Sequence, residues 1–262
     1  KHISLGVNRG DFIGIIGPSG AGKSTLAACL SGAVPHHYTG AFYGSVLVDG
    51  HDTCEVSLTD VSQIVGSVLQ DIDTQMVASV VEDEMLFGLE NFGVSHDQIE
   101  QRVSETLETV GISDLHDREI ATLSGGQKQK VAIAAILAMR PRVLVLDEPT
   151  AALDPASSTL VFETLREANR ALGITIVVVE QKVALLSEYC NRVLVLNHGK
   201  IALQGEPHEV FAHADELRAI GVDCPRVTRI FNSLEADGLA SGTPCLDVDE
   251  AERLITGIVD PA

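Results

Sequence analysis

Short apolar runs, each ended by a turn or a polar stretch, recur along most of the chain. They are rich in β-branched residues and too short to form buried helices, which is typical of strands inside a sheet. We predict strands at 12–17, 45–48, 143–146 and 174–179. A further pair of runs, 192–196 and 200–203, flanks Asn197-His198-Gly199, and this arrangement predicts a β-hairpin.

Helical patterns fill the intervals between these runs. A glycine-rich turn leads into a predicted helix at 24–31, and 155–171 predicts a crossover helix with a proline near its start. Residues from about 80 to 118 are charged and helically periodic, most clearly at 97–110. Strands that alternate with helices predict an α/β fold with a parallel sheet.

The pattern changes near residue 206. Short helices follow, with a loop-rich break at 234–244. We therefore predict one large domain at 1–205 and a small C-terminal helical extension at 206–262.

Charge and hydropathy limit the classes of partner. The 37 acidic residues outnumber the 18 basic ones and give a net charge of −19. Affinity for nucleic acid depends on clustered Lys and Arg, so we predict no nucleic-acid partner. The longest apolar run, 131–139, is about half of a bilayer crossing, so we expect a soluble chain that reaches a membrane through a partner. The five cysteines form no C-x-x-C pair and are expected to be reduced thiols.

A phosphate-binding loop follows the first predicted strand. The segment from Gly17 to Ser24 fits G-x-x-x-x-G-K-[ST] and opens a predicted helix. Its glycines let backbone N–H groups converge on a phosphate, while Lys23 can reach the β- and γ-phosphates and Ser24 can ligate Mg²⁺. The predicted ATP-binding residues are Gly17, Pro18, Ser19, Gly20, Ala21, Gly22, Lys23, Ser24 and Thr25.

Two carboxylates end the predicted strand at 143–146. Asp147 would lie at the carboxyl edge of the sheet, where open α/β sheets bind ligands, and is predicted to hold Mg²⁺. Glu148 is the candidate general base for an attacking water. A solvated acidic turn is the alternative for this pair taken alone. The Asn-Lys-x-Asp element that recognises guanine is absent from the sequence, which favours ATP over GTP.

The segment Leu123-Ser124-Gly125-Gly126-Gln127 resembles the signature of ABC ATPases. Gln70 resembles the family's Q-loop glutamine, which would join Ser24 and Asp147 at Mg²⁺, and Asp154 resembles the D-loop aspartate. The resemblance implies a P-loop NTPase fold with a RecA-like core, an antiparallel β-subdomain and an inserted helical signature subdomain at about 75–140. It also implies a head-to-tail dimer, in which ATP lies between one subunit's phosphate loop and the other's signature.

A narrower resemblance concerns the segments 68–75, 81–84, 87–91 and 225–229, which are similar to ATPase subunits of energy-coupling factor (ECF) importers, including the cobalt and nickel group. It implies a membrane-embedded coupling subunit, a substrate-capture subunit and often a second ATPase subunit. The chain would then lie at the cytoplasmic face of the cell membrane and energise import of a vitamin or a transition-metal ion.

Two features of the sequence depart from the family pattern. Gln181 stands where ABC ATPases usually carry a histidine, and its amide can hydrogen-bond a phosphate but cannot take a proton. The aromatic that stacks on adenine lies upstream of the first family strand, so we expect it to precede Lys1. The alternatives are a soluble non-transport ABC ATPase and a hydrolysis-impaired regulatory cassette.

Overall fold

The computed structural model describes residues 3–38 and 40–259. Lys1, which the adenine-stacking aromatic is expected to precede, lies outside the described residues. So do residues 260–262 of the predicted C-terminal extension. The strands in chain order are β1 (Phe12–Ile16), β2 (Leu47–Val48), β3 (His51–Asp52), β4 (Val65–Val68), β5 (Val143–Asp147), β6 (Thr175–Val179), β7 (Arg192–Asn197) and β8 (Lys200–Gly205).

The helices lie between these strands, singly or in groups, up to β7, and they follow one another after β8. In chain order they are α1 (Lys23–Leu30), α2 (Ala33–His36), α3 (Leu58–Ser62), α4 (Val81–Asn91), α5 (His96–Val110), α6 (Gly125–Ala138), α7 (Pro155–Leu172), α8 (Val183–Tyr189), α9 (Pro207–Ala212), α10 (Ala214–Ala219), α11 (Arg226–Ala236) and α12 (Val248–Val259). Short 3₁₀ turns lie at Ile72–Thr74, Ser113–Leu115 and Ile120–Thr122.

One compact unit comprises Val7–Asp11 and Ser24–Val179. Its strands β4, β5 and β6 form parallel pairs with β5 in the middle, which puts Asp147 opposite Val179 at the carboxyl end. The strands β2 and β3 form a separate antiparallel pair. Helix α6 packs against α4, α5 and α7, and fully buried side chains such as Met85, Leu107 and Ile133 fill the space between the helices.

The other unit comprises the described part of residues 1–6, Phe12–Lys23 and the described residues from Glu180 onward. In it β1 and β7 are parallel, and β7 and β8 form an antiparallel hairpin. The hairpin turn has φ angles of 48° at His198 and 70° at Gly199. Positive φ at both central turn residues fits the right-handed twist of the strands, so the Asn-His-Gly signal is confirmed.

The C-terminal segment of this second unit is helical, as its sequence predicts. Phe231 of α11 packs with Cys245 and Ala251, and Thr228 Oγ1 donates to the carbonyl oxygen of Cys245 at 2.6 Å. The predicted break at 234–244 begins too early, because α11 continues to Ala236 and Gly238, with φ of 73°, follows its end. The domain boundary near 206 stays a prediction.

Candidate active site

The phosphate loop connects β1 to α1 and depends on glycine at Gly17. Its φ is 155°, and a Cβ added there would collide with the carbonyl oxygen of Leu196 on β7. The N–H of Gly199 donates to the carbonyl oxygen of Ala21 at 2.9 Å, so the β7–β8 turn supports the loop from one side. Gly20 and Gly22 also have positive φ, of 75° and 101°. Such a backbone can turn consecutive N–H groups toward one point.

Lys23 begins helix α1, and its side chain lies along the loop. Its Nζ atom donates to the carbonyl oxygens of Gly17 at 2.9 Å and Pro18 at 3.2 Å. The side chain is buried, with 7% exposed, whereas Ser24 and Thr25 are exposed at the first turn of the helix. An ammonium that bonds uncharged carbonyls at the positive end of a helix is well placed to bind an anion.

The two carboxylates at the end of β5 have different backbone conformations. Asp147 is the last residue of the strand, and Glu148 follows it with φ of 48°. A left-handed conformation at a non-glycine residue costs about 1–3 kcal/mol and concentrates at functional sites. The N–H of Glu148 donates to the carbonyl oxygen of Val179 at 2.9 Å, which fixes this turn against the end of β6.

Gln70 lies two residues beyond the end of β4 and reaches Glu148. Its Nε2 atom lies 3.4 Å from Glu148 Oε2. The chain after it forms the 3₁₀ turn Ile72–Thr74, and Asp73 of this turn forms an ion pair with Lys128 of α6 at 2.8 Å. Gln70 and the candidate base are thus brought together although 78 positions separate them in the sequence.

The signature opens helix α6 with a capping box. Ser124 Oγ accepts the N–H of Gln127 at 3.3 Å, and Gln127 Oε1 accepts the N–H of Ser124 at 2.9 Å. The capping leaves the two intervening residues, Gly125 and Gly126, at the helix N-terminus, where N–H groups have no intrahelical partner. Leu123 is buried beneath this turn, while Ser124 and Gly125 are exposed.

The segment after Glu148 packs against the signature glycines of the same chain. A Cβ at Gly125 would come within 3.2 Å of Leu153, and one at Gly126 within 3.0 Å of Ser157. Asp154 caps helix α7 and accepts hydrogen bonds from Ser157 N at 3.1 Å and Ser157 Oγ at 2.5 Å. These bonds hold the pKa of the Asp154 carboxyl below its usual value.

A cleft of about 200 Å³ gathers several of these residues within one unit. Gln70 and the turn after it, part of the signature, and the residues just before Asp154 all contribute to its lining, together with Glu148. The lining residues are Gln70, Ile72, Asp73, Leu123, Gly125, Lys128, Gln129, Glu148, Pro149, Ala151, Ala152 and Leu153. The candidate base is therefore open to the same space as the exposed edge of the signature.

Gln181 lies in the other unit, directly after the buried Glu180. The Glu180 carboxylate, with 2% of the residue exposed, accepts the N–H groups of Gln181 at 2.7 Å and Lys182 at 3.2 Å. The Gln181 side chain is exposed. Glu180 thus fixes the backbone from which the Gln181 amide extends.

Sequence reasoning missed the residues that hold these loops. Gln75 bonds the backbone on both sides of Val68, Glu84 Oε2 accepts the N–H groups of Val77 and Ala78, and Glu180 holds Gln181. Each of these polar side chains is buried or half-buried next to the predicted site, and this burial is visible only in the folded chain.

In the described part of the chain, no helix is long and apolar enough to span a membrane.

Comparison with known proteins gives a consistent result. The family model described as ABC transporter matches residues 1–151. The energy-coupling factor transporter ATP-binding protein EcfA1 of Symbiobacterium thermophilum is 43% identical over 251 residues, which cover 95% of this chain and 85% of that protein.

Two solved structures are also similar. CbiO1 of Clostridium perfringens, described as part of the ABC transporter complex CbiONQ, matches with a TM-score of 0.74 and 35% identity, over 88% of this chain and 90% of that one. The ATP-binding cassette MJ0796, in a dimeric post-hydrolysis state bound to ADP and phosphate, matches with a TM-score of 0.66 and 26% identity, over 79% and 89% of the two chains.

Proposed function

This chain belongs to the ABC transporter family, and on that premise we propose that it binds ATP at its phosphate loop and hydrolyses it with Glu148 as the general base. It has the P-loop NTPase fold and is an ATP-binding and ATP-hydrolysing subunit that energises a membrane importer. The observation that carries the proposed chemistry is the contact between Gln70 Nε2 and Glu148 Oε2, at 3.4 Å, which joins two of the proposed site residues.

ATP binding is the task of the residues from Gly17 to Thr25. The loop N–H groups receive the phosphates, and the helix dipole of α1 favours their negative charge. Lys23 exchanges its two carbonyl partners for β- and γ-phosphate oxygens, which form stronger, charge-assisted bonds.

Ser24, Gln70 and Asp147 are the proposed Mg²⁺ ligands. They offer a hydroxyl, an amide oxygen and a carboxylate, and this all-oxygen set fits a small hard cation. When bound, Mg²⁺ neutralises the negative charge that develops on the transferred phosphoryl group.

Glu148 accepts the proton of the attacking water, because a carboxylate can take up a proton as a general base. The Gln70 amide bonds one oxygen of this carboxylate and so helps to orient it. Gln181 hydrogen-bonds the γ-phosphate without taking part in proton transfer, because an amide does not titrate.

The working assembly is a head-to-tail dimer of ATPase subunits. Ser124, Gly125, Gly126 and Gln127 present a capped helix N-terminus, an arrangement that binds anions. We assign it to the ATP held by the phosphate loop of the second subunit, which is either another copy of this chain or a related ATPase. Asp154 lies at the same edge and would contact that subunit.

The membrane partners are a coupling subunit and a substrate-capture subunit, as in ECF importers, with this chain at the cytoplasmic face. A relative of this kind is the EcfA1 protein named above. Leu69 and Val77 lie on either side of Gln70 and the 3₁₀ turn after it, and Phe87 lies on helix α4. Each of the three is 52–60% exposed, and such apolar side chains suit a protein partner. The transported solute would be a vitamin or a transition-metal ion.

Gln181 favours a second candidate, a cassette that binds ATP and regulates the importer without efficient hydrolysis. A missing histidine removes a titratable group from the γ-phosphate but leaves the candidate base in place. The two candidates differ in turnover, not in binding.

The test is phosphate release by the chain co-purified with its membrane subunits and reconstituted into vesicles. The proposal predicts ATP turnover that accompanies solute uptake and is lost in Lys23→Ala. ATP binding without turnover in the intact complex would instead establish the regulatory cassette.

A further inference from the structure

The backbone that leads into Gln70 is held by one side chain, Gln75. Its Oε1 atom accepts the N–H of Leu69 at 2.9 Å, and its Nε2 atom donates to the carbonyl oxygen of Ser67 at 3.1 Å. In a parallel sheet, one residue of the adjacent strand bonds both the carbonyl of a residue and the N–H two positions later. The Gln75 amide bonds this same pair of backbone groups, at Ser67 and Leu69, and so takes the place of an adjacent strand at the end of β4.

The position of Gln70 depends on these two hydrogen bonds of Gln75. Leu69 directly precedes Gln70, and the side chains of both are exposed, Leu69 by 53%. Apolar packing thus contributes little to holding the backbone at this point. The hydrogen bonds from Gln75 fix it, and the side-chain torsions of Gln70 then determine the 3.4 Å contact with Glu148 Oε2.

A second interaction that holds the same loop, an ion pair, is weaker. The pair between Asp73 and Lys128 leaves the Asp73 side chain 71% exposed, and solvated ion pairs contribute little. Gln75 is half-buried and makes two bonds to backbone groups. Of these two interactions, the hydrogen bonds of Gln75 are therefore the ones whose loss would move the loop.

We propose that Gln75 is a positioning residue for ATP hydrolysis, which acts by fixing the backbone before Gln70 and so the contact of Gln70 with the candidate base. This inference rests on the proposed role of Glu148. Displacement of a catalytic group by about 1 Å can lower a rate on the order of 100-fold, and partial loosening of the loop should lower kcat about 10-fold.

The test compares Gln75→Ala and Gln75→Glu in the assembled transporter complex. Gln75→Ala removes both bonds and should lower kcat about 10-fold without changing the KM for ATP, because the phosphate loop is intact. Gln75→Glu keeps an acceptor for Leu69 but loses the donor to Ser67, so it should be less impaired. Its loss should shrink as the pH falls, because a protonated carboxyl can donate again. The control Gln101→Ala alters an exposed glutamine on α5 and should match wild type.

A double-mutant cycle with Glu148→Gln separates positioning from general destabilisation. If Gln75 acts through Glu148, then Gln75→Ala should not reduce the residual single-turnover rate of Glu148→Gln further. An equal reduction in both backgrounds, a loss confined to KM, or an unchanged kcat would overturn the proposal.

If Gln75→Ala does not fold, the pH profile of Gln75→Glu decides the question. A ratio of its kcat to that of wild type that stays constant with pH contradicts positioning. If Glu148→Gln itself retains the wild-type rate, the proposed function fails before Gln75 is tested.

Discussion

The phosphate loop and the Gln70–Glu148 cleft are built in different ways. The loop is made by consecutive residues, and its conformation follows from glycines and a lysine at fixed spacing. The cleft brings together residues 78 positions apart, through side chains that bond the backbone of neighbouring loops. A local sequence motif therefore predicts the binding site. The proposed hydrolytic contact between Gln70 and Glu148 depends instead on side chains that belong to no sequence motif.

The largest effect should come from adding a side chain within the local loop. Gly17→Val introduces a Cβ that collides with the Leu196 carbonyl, and it should abolish ATP binding and lower the free energy of unfolding by about 1–3 kcal/mol. Denaturant unfolding and nucleotide titration would measure both. The matched control is Gly6→Ala in the same unit, where an added Cβ has no neighbour within 4 Å. If Gly17→Val bound ATP normally, the close approach to Leu196 would have no functional meaning.

Mixing two defective subunits tests whether loop and signature act across a dimer. Lys23→Ala and Ser124→Arg should each abolish turnover alone. A mixed homodimer keeps one intact composite site, so mixing should restore part of the wild-type rate. Absence of restoration, in a complex shown to hold two copies of this chain, would place both elements in one subunit's site.

Gln181 offers an effect of intermediate size. A hydrogen bond to a charged group is worth about 1.5–3 kcal/mol, so Gln181→Ala should lower turnover about 10- to 100-fold. Wild-type turnover should show no titration near pH 6.5, where an imidazole would titrate, and Gln181→His should introduce one. The pH–rate profiles of the complexes decide this; a histidine-like titration already present in wild type would contradict the assigned role.

The smallest effect concerns the Asp154 cap. Because its pKa is lowered in the folded state by the bonds from Ser157, its stabilisation is present above the unfolded pKa, about 3.9, and is lost as pH falls through the folded pKa. Asp154→Asn should therefore lower Tm slightly at neutral pH, and this difference should disappear in acid. A Tm difference that stays the same as pH falls from neutral into acid would mean that the charge of Asp154 does not stabilise the cap.

The sequence predicts the elements that rest on local patterns. The strands at 12–17, 143–146 and 174–179 are confirmed within one or two residues, and the family assignment from the LSGGQ segment is confirmed by the comparisons. The roles of Glu148, Gln70 and Gln181 stay predictions. Gln75, Glu84 and Glu180 escaped prediction because each acts through a bond to a backbone group, and which backbone group a polar side chain will meet is decided only by the folded chain.

The central claim is that binding belongs to the loop and hydrolysis to the cleft. The most direct measurement is ATP affinity and phosphate release of Glu148→Gln, side by side with wild type, in the reconstituted complex. We predict an unchanged Kd for ATP and a turnover reduced by a factor on the order of 100 to 10,000, the usual contribution of a general base. Wild-type turnover in Glu148→Gln, or a loss of affinity equal to the loss of turnover, would contradict it.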